Sequence, residues 1–347
     1  MKKGIDRTKY SLIIITLILI LIFTIAVFSI IGTADISVID TFRIVGSKIP
    51  IIRRYIDISD IGKSHETIIW SIRLPRVLLG VLVGASLSMA GAAFQGIFKN
   101  PMADPYVIGI SSGAALGASI AIILKINISF MNLSTISVFA FIGALVAVFT
   151  VYNIARIKNK VPVTTLLLAG IAIGQFLTAI MSFLMVIYSK DMAKIIYWTM
   201  GSLAGKGWGP LKGITIPVVI SMICISLFSR DLNIMLTGEE SAQSLGVDVE
   251  KTKIYILILG SFMVSMVVSI SGIIGFVGLI IPHIVRIVLG PDNRILLPAS
   301  ALVGAIFMIF ADTIARTIIS PIEIPVGIIT ALFGGPFFLY LLRKSKK

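Results

Sequence analysis

Charged residues are scarce in this sequence. Of its 347 residues, 13% are charged and 57% are hydrophobic, whereas a soluble domain carries roughly a quarter charged residues. A chain with so little charge cannot cover its whole surface with groups that hydrate well. The composition therefore excludes an ordinary soluble protein and predicts that much of the surface faces lipid.

Cysteine and histidine are almost absent. Cys224 is the one cysteine, which excludes a disulfide framework within the chain and a site of several cysteine ligands. Two histidines and scattered methionines do not make a haem site, so we expect no cofactor and no metal site in this chain. The net charge is +14, but the basic residues lie between long apolar stretches and not on one basic face, so no nucleic-acid partner is expected.

Long apolar runs without charges dominate the rest of the sequence. About 20 apolar residues are needed to cross a hydrocarbon core about 30 Å thick, and a charge at the centre of a span costs about 3 kcal/mol. Nine runs meet this pattern: 10–32, 77–98, 106–124, 126–155, 161–189, 213–229, 254–285, 295–311 and 324–342.

One of these runs is too long for a single span. Residues 254–285 would extend about 48 Å as one straight helix. The run also contains Gly272, Gly275, Gly278 and Pro282, which are suited to a turn or a broken helix. We therefore divide it into a span that ends near Ile270 and a short span over 276–289, which gives about ten transmembrane helices.

Basic residues at both ends predict the orientation. Lys2, Lys3, Arg7 and Lys9 precede or begin the first span, and a second basic group follows the last, at Arg343, Lys344, Lys346 and Lys347. The excess of basic residues on the cytoplasmic side of membrane proteins places both termini in the cytoplasm, which agrees with an even number of spans. The prediction is an all-α integral membrane protein with one transmembrane domain over 1–347, an extracellular segment at 33–72 and a cytoplasmic segment at 231–253.

Small residues predict close helix packing. Gly109, Gly113 and Gly117 repeat every four residues in the third span, and such a face lets two backbones approach closely inside a membrane. The first part of this series, Gly109-Ile-Ser-Ser-Gly113, also fits the Gly-x-Ser-x-Gly pattern of serine hydrolases. An intramembrane serine protease, using Ser111 and the distant His283, is therefore a remote alternative function.

The polar interval 231–253 is the most informative stretch. Glu239 and Glu240 stand where acidic residues favour a helix N-terminus, and Gly246 stands where a helix would end. The pattern predicts a short amphipathic helix in the cytoplasm. It is either an ordinary solvated connector or a docking helix for a soluble partner.

Several motifs resemble the FecCD family of iron-chelate permeases. The segment Gly238-Glu-Glu-Ser-Ala-Gln-Ser-Leu-Gly246 resembles the cytoplasmic coupling segment of that family, and Arg73-Leu-Pro-Arg76 resembles its opening signature. Further matches follow in the family's order at 91–105, 272–286, 297–301, 311–316 and 323–336. The stretch 33–63 matches poorly, so nothing specific to the family is inferred from it.

The resemblance implies a fold, partners and an activity. It implies the type II ABC importer fold of the cobalamin permease, in a dimer with an identical or homologous permease subunit. Two cytoplasmic ATPase subunits would carry ATP and Mg, and an extracellular binding protein would deliver the cargo. The chain itself would be a transporter subunit in a bacterial cell membrane without an ATPase site. Its cargo would be a ferric siderophore or similar chelate, with haem or cobalamin as alternatives.

The resemblance also implies roles for particular residues. Coupling to the ATPase would involve the residues Gly238, Glu239, Glu240, Ala242, Leu245 and Gly246. Arg73, Arg76 and Arg316 would dock onto acidic residues of the binding protein, although arginines at span ends often only reach towards the membrane surface. An inner turn with two prolines, through Asn100, Pro101, Asp104 and Pro105, would contribute to the cytoplasmic gate or serve only as a turn.

A secondary transporter driven by protons or sodium is the second alternative from another class. Such proteins usually place ionisable groups within their spans. Asp312 and His283 are the few candidates here, and both lie near predicted span ends. The cytoplasmic segment would have no purpose in a secondary transporter.

Overall fold

A computed structural model describes residues 7–32, 34, 36–51, 53–126, 132–158 and 160–345. Lys2, Lys3, Lys346 and Lys347, which entered the orientation argument, lie outside these residues. In the described part the chain is almost entirely helical. Its α-helices are α1 (Arg7–Ile30), α2 (Val38–Ser47), α3 (Lys63–Thr67), α4 (Leu74–Phe98), α5 (Ile110–Leu124), α6 (Thr135–Ala155), α7 (Val163–Ile187), α8 (Met192–Thr199), α9 (Trp208–Leu227), α10 (Ser229–Met235), α11 (Glu239–Ser244), α12 (Val249–Ser271), α13 (Val277–Leu289), α14 (Asn293–Thr317) and α15 (Val326–Ser345).

The membrane helices agree with the predicted number. Among the described residues, seven helices are long and apolar enough to cross a membrane, and α5, α13 and the apolar part of α15 are shorter apolar helices. Together these are the ten predicted spans in the predicted order. The ends of the bundle are called inner (cytoplasmic) and outer below, following the predicted orientation.

The helix α4 forms the centre of the bundle. It contacts α14, α12, α13 and α9, and nearly all of its residues are buried. Glycines make these contacts close: a Cβ on Gly84 would lie 2.2 Å from the carbonyl oxygen of Gly304, and one on Gly91 would lie 1.8 Å from that of Gly278. Since neither position has space for a side chain, α14 and α13 pack directly on the backbone of α4.

The predicted break in the run 254–285 is confirmed. The helix α12 ends at Ser271 and α13 begins at Val277. Gly272 and Phe276 both have positive φ angles, +71° and +70°, in the left-handed region that a continuous right-handed helix cannot contain. The chain thus turns back within the bundle after α12.

Other boundaries differ from the sequence predictions. The helix α6, which corresponds to the predicted span 126–155, begins at Thr135, with Ser134 as its N-cap. The segment 33–72 was predicted as a loop, but it contains α2, and its last residues belong to a helix that starts at Lys63 and continues through a π-helical stretch (Ile68–Arg73) into α4. The helix α14 extends past residue 311 to Thr317, although Asp312 and Arg316 interrupt its apolar run.

Candidate functional site

The segment 231–253, predicted to be cytoplasmic and called the connector below, contains the short helix α11 and most of α10, between α9 and α12. As predicted, α11 begins after Gly238 and ends before Gly246. Both glycines have positive φ angles, +122° and +84°, where residues with side chains are strained. Ala242, in the middle of α11, is fully buried, so the helix is anchored through this small residue.

A buried lysine fixes α11 to the rest of the inner end. The ammonium group of Lys253 on α12 lies 2.8 Å from Oε1 of Glu239 and 3.1 Å from Oε1 of Glu250, and Lys253 is only 5% exposed. The other carboxylate oxygen of Glu250 accepts a hydrogen bond from the backbone N–H of Val161 at 3.1 Å. This cluster therefore joins α11, the start of α12 and the connection between α6 and α7.

The same cluster affects the ionisation of Glu239. The hydrogen bond from Lys253 lowers the pKa of Glu239, and the nearby charges of Lys99 and Lys160 act in the same direction. Glu239 is therefore ionised near neutral pH, and it acts as a structural partner of Lys253.

The opposite face of the connector is exposed. Glu240 points to solvent, and Leu236 and Leu245 are 48% and 65% exposed. These exposed residues, two leucines and one carboxylate that has no side-chain partner among the described residues, define what we call the connector face. Its chemistry suits contact with a soluble protein.

A polar cluster attaches α10 to the N-terminus of α14. The carboxylate of Asp292 accepts hydrogen bonds from Asn233 Nδ2 at 2.6 Å and from the Tyr10 hydroxyl at 2.8 Å. Burial alone would raise the pKa of Asp292, but these bonds and one from the backbone N–H of Arg294 lower it. The side-chain oxygen Oδ1 of Asn233 in turn accepts hydrogen bonds from the backbone N–H and the side-chain amide of Asn293. The connector is thereby bonded to α14 and, through Tyr10, to α1.

The inner turn after α4 is held by its own side chains. Asn100 Oδ1 accepts from the N–H of Met102 at 2.9 Å, and Asp104 Oδ1 accepts from that of Tyr106 at 2.8 Å. Pro101 is exposed, whereas Pro105 is buried against Gly278 of α13. Burial raises the pKa of Asp104 to about 6, and the hydrogen bond from Tyr106 opposes the rise.

Gln95 connects this turn to α13. It is buried near the inner end of α4, and its Nε2 donates to the carbonyl oxygen of Leu279 at 3.0 Å. Its Oε1 accepts from Arg286 Nη1 at 2.8 Å. Tyr106 adds a further link, since its hydroxyl donates to the carbonyl oxygen of Ile274, in the break between α12 and α13. The inner turn and the broken helix thus form one bonded unit.

The three arginines expected to dock a binding protein lie in the interior at the outer end. Arg73, Arg76 and Arg316 are 4%, 6% and 5% exposed. Arg76 makes two-pronged ion pairs with both Asp312 and Glu323, each at 2.9 Å at the closest approach. The guanidinium groups are therefore not free docking groups in this conformation, and the docking role stays a prediction.

Two of these arginines cap the end of α1. Arg73 donates to the carbonyl oxygens of Ile30 and Ala34, and Arg316 donates to that of Phe28. The last carbonyl groups of a helix lack partners within it and carry partial negative charge. The arginines therefore fasten the outer end of α1 to α4 and α14.

The glycine series in α5 divides into two roles. Cβ atoms on Gly113 and Gly117 would lie 2.4 Å and 2.1 Å from carbonyl oxygens of Gly143 and Phe139 on α6. Gly109 faces α6 as well, but a Cβ there would meet Val151 and Ala147 at 3.6 Å and 3.7 Å, which is ordinary van der Waals contact. It stands before α5 with a φ angle of +87°, so the backbone conformation favours glycine there and close packing does not require it.

Several residues of these clusters were not predicted from the sequence. Lys253, Asn233, Asp292, Gln95 and Glu323 become recognisable only through partners that are distant in sequence. The one available signal was the polarity of Gln95 and Glu323 inside the recognised motifs. Nothing in the local pattern indicated which groups they would contact.

Comparisons with known proteins agree with one another. The model of the FecCD transport family matches residues 15–344. The chain is 48% identical to the cobalamin import system permease of Halobacterium salinarum, over 82% of this chain and 75% of that protein. It is 40% identical to the hemin transport system permease of Yersinia pestis, over 80% of this chain and 84% of that protein.

Further similarity comes from an iron-citrate permease and from a solved structure. The chain is 40% identical to the Fe(3+)-citrate import system permease YfmE of Bacillus subtilis, over 81% of this chain and 83% of that protein. A solved structure described as a metal-chelate type ABC transporter in an inward-facing conformation superposes with a TM-score of 0.81 at 30% identity. The superposition covers 96% of this chain and 99% of the chain in the solved structure.

Proposed function

The chain belongs to the FecCD transport family, and from this premise we propose that it is the permease subunit of an ABC importer for an iron chelate. The observation that carries the proposal is the connector face, an exposed patch mounted on a rigidly bonded inner end. A permease without its own energy source needs such a surface, since a soluble ATPase must act on it from the cytoplasm. The outer end would receive the cargo from a binding protein.

The bonding around the connector supports a coupling role. Movement of α11 would act on α12 through Lys253, and movement of α10 would act on α14 through Asn233 and Asp292. A coupling path needs two arrangements that the partner can bias. The inner turn and the break after α12 are suited to be the moving part, because both contain irregular backbone between helices.

The relatives support the cargo class. Permeases similar to this chain are named for the import of Fe(3+)-citrate, hemin and cobalamin. We propose a ferric siderophore or similar chelate for this chain, with haem or cobalamin as alternative cargoes. The complete importer would contain a second permease subunit, two ATPases that use ATP and Mg, and the binding protein.

The two alternatives from other classes gain no support from the geometry. Asp312, a candidate for proton coupling, is already paired with Arg76. Ser111 lies in a helix whose glycines at 113 and 117 contact α6 directly. Replacement Ser111→Ala should leave uptake largely intact, because the glycines around Ser111 serve helix packing and Ser111 is not a catalytic nucleophile.

Uptake in reconstituted vesicles tests the proposal. The chain would be assembled with its ATPase and binding protein, and labelled ferric siderophores, haemin and cyanocobalamin would be compared. We expect ATP-dependent uptake of one of them that is lost when the ATPase is omitted. Uptake that needs no ATPase would overturn the proposal and favour a secondary transporter.

A further inference from the structure

A cavity of ≈ 490 Å³ lies towards the outer end of the bundle, between α5, α6, α8 and the end of α12. Its wall combines apolar, aromatic and basic side chains. The lining residues include Ile122 and Ile136, the aromatic residues Tyr197 and Trp198, and the basic residues Lys194 and Lys206. The cavity borders Gly272, the first residue of the break between α12 and α13.

The loop between α8 and α9, which carries Lys206, is clamped at both ends. At its start, Gly201 has a φ angle of +69° and a Cβ there would lie 2.3 Å from the carbonyl oxygen of Ile273. Ser202 donates a backbone hydrogen bond to Ser271 at 2.7 Å. At its end, Trp208 Nε1 donates to the carbonyl oxygen of Trp70 at 2.7 Å. Lys206 is therefore mounted on a backbone that is fixed against the helix break.

Two basic side chains, Lys194 and Lys206, line the cavity. No acidic residue lines it among the residues the structure describes, and none of the ion pairs found there involves Lys206. Lys194 pairs with Asp191 at 3.3 Å, but its side chain is 70% exposed. Lys206 is half-buried, and burial lowers its pKa. A shielded ammonium group without a partner is costly, and an anionic ligand would remove that cost.

We propose that this cavity is a subsite for an anionic part of the cargo, with Lys206 as the group that pairs with it. The inference rests on the proposed importer function and narrows its cargo to chelates with carboxylate or phenolate oxygens. Tyr197 and Trp198 would pack against the apolar or aromatic body that carries the anion. The position at the outer end lets an arriving chelate meet this subsite before it reaches the inner turn.

Uptake kinetics of the complete importer test the subsite. The comparison would use Lys206→Gln, the conservative variant Lys206→Arg, and Lys212→Gln as a control that removes an exposed lysine from the neighbouring α9. The probes are haemin and ferric citrate, which carry carboxylates, cyanocobalamin, whose anionic group is a phosphodiester, and a neutral ferric trihydroxamate as the uncharged control. A charge-assisted hydrogen bond corresponds to about a tenfold change in affinity or more. We therefore expect Lys206→Gln to raise the KM for carboxylate-bearing cargo about tenfold. The KM values of Lys206→Arg and Lys212→Gln should stay near that of the wild type.

The remaining outcomes contradict either the subsite or the importer function. An unchanged KM for carboxylate-bearing cargo in Lys206→Gln, or an equal change for the neutral trihydroxamate, overturns the subsite. Transport of the neutral trihydroxamate alone or of cyanocobalamin alone by the wild type overturns the narrowed cargo class too, and leaves the importer function standing. The assay would be repeated in vesicles of zwitterionic lipid only. A Lys206 effect that vanishes there assigns the anion to a lipid headgroup and contradicts the proposal. Absence of ATP-driven uptake of any probe by the wild type counts against the importer function itself.

Discussion

Arg76 and Asp312 join the outer ends of α4 and α14 through a two-pronged ion pair. Nε of the arginine lies 2.9 Å from one carboxylate oxygen and Nη2 lies 3.0 Å from the other. Both side chains are almost completely buried, at 7% and 4% exposure. The pair lies at the end of the same two helices that Gly84 and Gly304 hold in backbone contact, so α4 and α14 form one unit from the centre of the bundle to its outer end.

The two acidic partners of Arg76 should differ in their effect on stability. Breaking a buried ion pair by removing one partner costs about 3 kcal/mol or more, whereas an exposed pair contributes at most about 1 kcal/mol. Glu323 is 41% exposed. We expect Asp312→Asn to lower the unfolding temperature of the detergent-solubilised chain clearly and Glu323→Gln to lower it little. Equal losses would contradict the assignment of Asp312 as the main partner.

The glycine contacts of α4 predict that alanine substitutions at two glycines will differ in their effect on stability. A Cβ on Gly91 would collide with the backbone of Gly278, whereas the nearest atom to one on Gly174 is Ser112 Oγ at 3.5 Å. We expect Gly91→Ala to cost about 1–3 kcal/mol through forced separation of the helices. The matched variant Gly174→Ala should be neutral or slightly stabilising, because alanine favours a helix. Unfolding of both variants in the same detergent gives the comparison, and a stable Gly91→Ala would refute the close packing.

The pair between Glu239 and Lys253 predicts a pH dependence at the inner end. The pKa of Glu239 is lowered in the folded chain below its usual 4.5, so its contribution to stability is present above pH 4.5 and is lost as the pH falls through the lowered value. We expect amide hydrogen exchange across α11 to increase in Glu239→Gln at neutral pH. The wild type should approach the variant only in acid, after correction for intrinsic exchange rates. Glu240→Gln is the control and should exchange like the wild type.

The contribution of Asp104 to the stability of the folded chain should depend on pH with the opposite sign. Its pKa is raised to about 6, so its charged form is disfavoured in the folded chain, and the cost is present above pH 6 and disappears as the pH falls towards 3.8. Asn can retain the hydrogen bond to Tyr106. Because Asp104 keeps partial exposure, we expect Asp104→Asn to gain about 1–2 kcal/mol of stability at pH 8 and nothing at pH 4. A loss of stability at pH 8 would show that the carboxylate is needed in its charged form.

Local chemistry explains which features the sequence could predict. The break after α12 was predictable because Gly272 and Gly275 interrupt an apolar run that is too long for one span. The helix α11 was predictable because acidic residues and flanking glycines mark its two ends. Both signals lie within a few residues of the structure that they specify.

The burial of the arginines was not predictable in the same way. Arg76 meets Asp312, a residue 236 positions away, and a sequence pattern does not state which distant charges pair. The extension of α14 to Thr317 has the same cause, since its charged residues are accommodated by partners on other helices. Likewise, the local sequence around Lys206 does not indicate that its loop borders a cavity, or that no acidic residue in the described part of the chain lines that cavity.

The most direct test of the account is ATP-driven uptake with a charge reversal on the connector face. Glu240→Lys changes an exposed carboxylate that has no structural partner in the described part of the chain. Asp57→Lys is the control charge reversal on the predicted outer side, where it also removes two local hydrogen bonds from Ser59. Vesicles would contain the importer with its ATPase and binding protein, and labelled chelate would be counted. The account predicts that Glu240→Lys greatly reduces uptake while Asp57→Lys leaves ATP-driven uptake through the inner end intact. ATP-driven uptake that continues unchanged in Glu240→Lys would contradict the role of the connector face, and uptake that needs no ATP would contradict the importer itself.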